Sequence, residues 1–102
     1  MNKLALSLFF LLPRLVEGQA AWTQKADVGG QSRQGASAFA IANYGYIGLG
    51  DDAFFPYSDF WQWDKTANIW TQKANFAGGA RSHAFSCSLG NKGYVGTGYA
   101  NG

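Results

Sequence analysis

Six side chains capable of chemistry stand near the glycine-rich stretches of the chain: Arg33, Arg81, His83, Asp51, Asp52 and Tyr57. Arg33 and Arg81 each close a long loop that leads into an apolar segment. A guanidinium there offers a rigid fork of donors for a carboxylate or phosphate on a partner. It can equally pair with carboxylates or carbonyls of the protein itself and hold the fold together. Asp51, Asp52 and Asp59 flank one loop and are hard oxygen donors of the kind that bind Ca²⁺. They lack the EF-hand spacing, and the sister loop has Tyr99 and Ala100 where this one has Asp51 and Asp52. The simpler expectation is solvated turn carboxylates, and no metal is expected.

His83 and Cys87 stand four residues apart, which on one strand would put them on one face. A Cys/His pair is the core of one type of nucleophilic catalysis. No distinct carboxylate accompanies this pair, and the sister segment has Gly35 and Phe39 at these positions. Cys87 is therefore expected to be a small buried hydrophobe. Residues 45–50 read GxxGxG, not the GxGxxG of dinucleotide-binding turns, and no helical pattern follows. No nucleotide and no other cofactor is expected.

Composition removes further classes. The chain has 102 residues, a net charge of +2 and no cluster of Lys or Arg, so it carries no nucleic-acid signature. One Cys and one His exclude an internal disulfide framework and a multi-cysteine or multi-histidine zinc site. Few charges and many aromatic side chains argue for a folded chain. At the N-terminus, Lys3 precedes an apolar run over 4–12, Pro13, and small residues Gly18 and Ala20. This is the pattern of a secretory signal peptide over residues 1–20, and the run is too short for a membrane span. A secreted or surface-displayed protein without a transmembrane segment is expected.

The elements that would position these side chains come from an internal repeat. Trp22-Thr23-Gln24-Lys25-Ala26 returns as Trp70-Thr71-Gln72-Lys73-Ala74, and the offset of 48 then holds without a gap. Residues 22–54 and 70–102 share thirteen identities, among them Arg33/Arg81, Gly45/Gly93, Tyr46/Tyr94, Gly48/Gly96 and Gly50/Gly98. Within one period, short aromatic and β-branched segments separated by turn residues predict four strands, near 36–42, 44–50, 60–63 and 69–73. Residues 22–26 are expected to be the last strand of a preceding unit, and 84–98 the first two strands of a following one.

Four antiparallel strands in about 50 residues is the kelch period. Trp63 and Trp70, separated as in a kelch repeat with Asp64 after the first, carry a specific likeness. So does the run from Asp59-Phe60-Trp61 through Asp64 to Trp70-Thr71-Gln72-Lys73-Ala74. The chain resembles the kelch-repeat arrays of secreted bacterial proteins. It departs from them where the usual Gly-Gly doublet reads Gly48-Leu49-Gly50 and Gly96-Thr97-Gly98. Galactose oxidase also has kelch-type blades, but no copper-ligand set is carried over, since the chain has one His.

The resemblance implies an all-β fold, a kelch-type β-propeller of incomplete extent. About one and a half blades lie within residues 21–102, with Trp22, Gly45, Tyr46, Gly48, Gly50, Trp63, Asp64, Trp70, Gly93, Tyr94, Gly96 and Gly98 as the structural signature. Further blades, or other copies of the chain, are needed to close a propeller. In such a fold the loop after the fourth strand and the loop between strands two and three lie on one face. Arg33, Arg81, His83, Asp51, Asp52 and Tyr57 are then expected to share that face and to contact a protein or glycan. The leading expectation is a non-enzymatic interaction module. The rival is a piece of a secreted kelch-type oxidase, isomerase or hydrolase whose catalytic residues lie elsewhere.

Overall fold

In a computed structural model, described for residues 21–100, the chain is all-β and its strands pair antiparallel. There is no helix among the described residues, hence none long and apolar enough to cross a membrane. Residues 1–20, where the signal-peptide pattern falls, lie outside them. Four strands, β1 (Ser37–Ile41), β2 (Tyr44–Gly48), β3 (Phe60–Asp64) and β4 (Ile69–Lys73), form one meander in chain order. A second sheet has two strands, β5 (Phe85–Leu89) and β6 (Lys92–Gly96). All four strands expected in the full period are present. Residues 22–26 are not: no ladder partner lies beside them and they run outside any strand, with Trp22 fully exposed. A strand exists only through its neighbour's hydrogen bonds.

Turn chemistry sets the registers. Ala42 and Asn43 form the two-residue link from β1 to β2, pairing Ile41 with Tyr44 and Ser37 with Gly48. Ala42 sits at φ 52°, in the left-handed region, and its repeat twin in the β5–β6 link is Gly90 at φ 61°. Between β3 and β4, Asp64 Oδ1 accepts from the backbone N–H of Thr66 and Ala67. The N–H of Asn68 donates to the Asp64 carbonyl, so the acid closes its own turn.

The repeat seen in the sequence is a repeat in space. Gln34 exchanges both backbone hydrogen bonds with Asp51, and Ser82 does the same with Tyr99, 48 residues on. Leu49 and Thr97, again twins, both lie at positive φ, as do Gly50 and Gly98. The two sheets meet at β1, which lies against β5 and β6. Ser37 Oγ donates to the Ala84 carbonyl and Ser86 Oγ to that of Ala38. The Phe39 ring, stacked on Tyr46 at 4.9 Å, lies so close over Gly93 that any Cβ there would overlap it. Leu49 and Phe60 are the buried hydrophobic residues among those described, with Phe76 half-buried on the groove between the sheets.

Candidate functional site

The loops at one end of the sheets gather the sequence-selected residues, but they do not use them alike. Arg33 is built into the fold. Its Nη1 and Nη2 donate to Asp59 Oδ1 and Oδ2 at 2.7 and 2.8 Å, a bidentate pair. Nη1 also donates to the Leu49 carbonyl, and Nε to that of Gln31. Trp61 Nε1 donates to Asp59 Oδ2 at 2.7 Å. The Tyr57 ring lies beneath the guanidinium, 4.8 Å from Cζ to the centroid. The side chains of Arg33 and Asp59 are 7% and 21% exposed, so the charge faces protein more than solvent. The hydrogen bonds from Arg33 hold the Asp59 carboxyl below the usual carboxylate range, against the opposing effect of burial.

Arg81 repeats this arrangement only in part. Its Nη1 donates to the Thr97 carbonyl, as Arg33 does to Leu49, and its Nη2 to the Gly78 carbonyl. Phe76 replaces Tyr57 under the guanidinium, at 5.2 Å. No carboxylate reaches it among the described residues, and Nε is buried without a hydrogen-bond partner. Both arginines thus tie the long loop to the residue that follows the second strand. Sequence could pair the two arginines by offset. It offered no signal that Asp59, not a partner molecule, accepts the first one.

Asp52 caps its own loop. Its Oδ1 accepts from the N–H of Phe55 and Phe54 at 2.7 and 2.9 Å, which lowers its pKa. Tyr57 is raised above its ordinary value, by burial first and by the neighbouring Asp52 carboxylate second.

Asp51 and His83 come together across the boundary between the two sheets. They line a cleft of about 250 Å³ with Gln34, Phe54, Ser82 and Tyr99. Asp51 Oδ1 accepts from Gln34 Nε2 at 2.9 Å and from the Ala53 N–H at 2.8 Å. These bonds lower its pKa, the Gln34 amide contributing most. The His83 ring stacks on Tyr99 with centroids 5.4 Å apart, and Nδ1 lies 3.2 Å from Ser82 Oγ. Tyr99 is 64% exposed.

His83 is not in a strand with Cys87. It precedes β5 at φ 58°, the position held by Gly35 at φ 62° in the first repeat. The two side chains therefore share no strand face, because the left-handed residue breaks the alternation that parity assumed. Cys87 is a free, half-buried thiol. Nor do Ser82, His83 and Asp51 make a nucleophile, base and orienting acid in order. The Asp51 carboxylate accepts from Gln34 and from the Ala53 N–H, not from the imidazole, and Ser82 is 2% exposed. The arrangement presents hydrogen-bond acceptors, an amide and an exposed aromatic face to whatever enters the cleft. Gln34, Ser82 and Tyr99 were not singled out from sequence as site residues. The offset of 48 relates Gln34 to Ser82 and Asp51 to Tyr99, and that pairing was a usable signal.

Among the described residues no group of three or more His, Cys, Asp or Glu side chains is placed to hold a metal ion. No protein-family model matches the chain, and no curated protein matches it.

Proposed function

We propose that this chain forms kelch-type propeller blades and acts as a non-enzymatic interaction module, secreted or surface-displayed, binding a protein or glycan through its loop face. The observation that carries the binding reading is the cleft between the Asp51 loop and the His83–Tyr99 pair. Binding sites concentrate on loops held by a rigid scaffold, and a concave mix of aromatic face and polar groups suits a ligand with both characters. A sugar ring has such a character, apolar on its C–H face and hydroxylated at its rim. Support for the kelch reading comes from the four-stranded meander, the 48-residue repeat in space and the contact of β1 with the next sheet.

A glycan array probed with the full chain tests the binding reading. Tyr99→Ala and Gln34→Ala, which remove the aromatic face and the amide, are expected to abolish any hit. Lys65→Ala, in the distant β3–β4 turn, is expected to leave it intact. A hit unaffected by both cleft variants would overturn the assignment of the cleft. Silence on the array and against a peptide display library would overturn the module reading itself.

A further inference from the structure

The contact between the two sheets has two faces, and the chain carries each face twice. The Phe39 face of the first sheet is covered by the Gly93 face of the second. The twin of the covered face, on the second sheet, is open: Phe85, Leu89 and Tyr94 are 63%, 67% and 49% exposed. The twin of the covering face, on the first sheet, centres on Gly45. Gly93 must be glycine because Phe39 fills the place of its Cβ. Gly45 has no such reason within the described residues. A Cβ there would meet only Trp63, at an ordinary 3.7 Å, and its φ is not in the left-handed region.

We propose that the open face around Phe85, Cys87 and Leu89 docks on the face around Gly45 of a second copy of this chain, head to tail, in the geometry of the internal contact. Shifting that contact by 48 residues places Cys87 of one copy, the twin of Phe39, over Gly45 of the next. Backbone bonds carry over unchanged in kind. Gly50 N–H donates to the Arg81 carbonyl across the sheet boundary, and His83 N–H to that of Gly35. Their shifted counterparts are Gly98 N–H to the Arg33 carbonyl, and Gly35 N–H to the His83 carbonyl, of the adjoining copies. The two serine side-chain bonds do not carry over. Phe85 stands in the place of Ser37 and faces Ala36, while Ala38 faces Ser86, so apolar contact takes their place. The contact is heterologous and extends to a ring or an open chain. It follows from the repeat and stands whether or not the loop cleft binds a ligand.

Two variants of the full chain test it by light scattering. Wild type is expected above monomer mass. Gly45→Arg and Cys87→Arg, each blocking one face, are each expected at monomer mass with unchanged circular dichroism. Their equimolar mixture is expected to reach dimer mass and stop, because one intact face of each kind remains. Wild type at monomer mass at every concentration would overturn the proposal. So would variants that associate like wild type, which would point to another surface such as the β6 edge. A mixture that stays monomeric would overturn the head-to-tail geometry.

If an arginine variant fails to fold, Gly45→Cys, whose Cβ the structure accommodates, replaces it. A short bis-maleimide is then expected to give a ladder beyond dimer, joined between the introduced thiol of one copy and Cys87 of the next. Only Cys87–Cys87 dimers, or no product, would overturn the proposal.

Discussion

Removing the carboxylate of Asp59 is the sharpest test of how the loops are held. The Asp59→Asn variant keeps the shape and loses the charge that accepts two bonds from Arg33 and one from Trp61. The pair is tightly packed: Gly30 is so close that a Cβ there would clash with Arg33, Trp61 and Asp59. Removing one partner of a fully buried pair costs about 3–5 kcal/mol, and partial exposure of Asp59 reduces this to about 2–3 kcal/mol. For a domain of this size that loss lowers Tm by about 8–24 °C. A double-mutant cycle with Arg33→Gln, read by urea unfolding, is expected to give a coupling of about 2 kcal/mol. Arg81→Gln, which lacks a carboxylate partner, is expected to cost only about 1 kcal/mol.

The effect also has a pH signature. The Asp59 carboxyl binds its proton less readily in the folded than in the unfolded chain. Its stabilisation is therefore complete above the unfolded value, about pH 4, and disappears as pH falls through the lowered folded value. Wild type and Asp59→Asn should converge in stability there. A coupling below about 0.5 kcal/mol, or a difference that persists unchanged into acid, would refute a structural ion pair.

Three further outcomes follow from the backbone. Ala42→Gly should stabilise the chain by about 0.5–1 kcal/mol and Gly90→Ala should destabilise it by a similar amount, since both positions lie in the left-handed region; thermal melts of the pair decide. Gly50→Ala should cost about 2–4 kcal/mol, because φ is +91° and the new Cβ would lie 2.5 Å from the Gln34 carbonyl oxygen; urea unfolding measures it. His83→Gly should raise stability by about 0.5–1 kcal/mol by restoring the residue its twin uses, yet weaken any ligand bound in the cleft; melts and the glycan array together read both effects.

The strands and the repeat were legible in the sequence because both are local. Alternation, turn residues and an offset of 48 act over a few residues at a time, and β1 to β4 appear where those signals place them. The same locality made Arg33 and Arg81 look equivalent. Only folding brings Asp59, 26 residues away, under one of them and leaves the other with carbonyls. The spacing of His83 and Cys87 suggests a shared strand face only if strand alternation reaches back to His83, whereas a left-handed backbone at that residue, ahead of β5, resets it. The cleft was beyond local reading, since Asp51 and Tyr99 approach only when the second sheet lies against β1. By itself, the sequence determined which segments become strands and which positions are twins. The tertiary structure decided which twin faces are covered, which arginine has an acid, and where His83 points, because burial and pairing depend on what arrives from far along the chain.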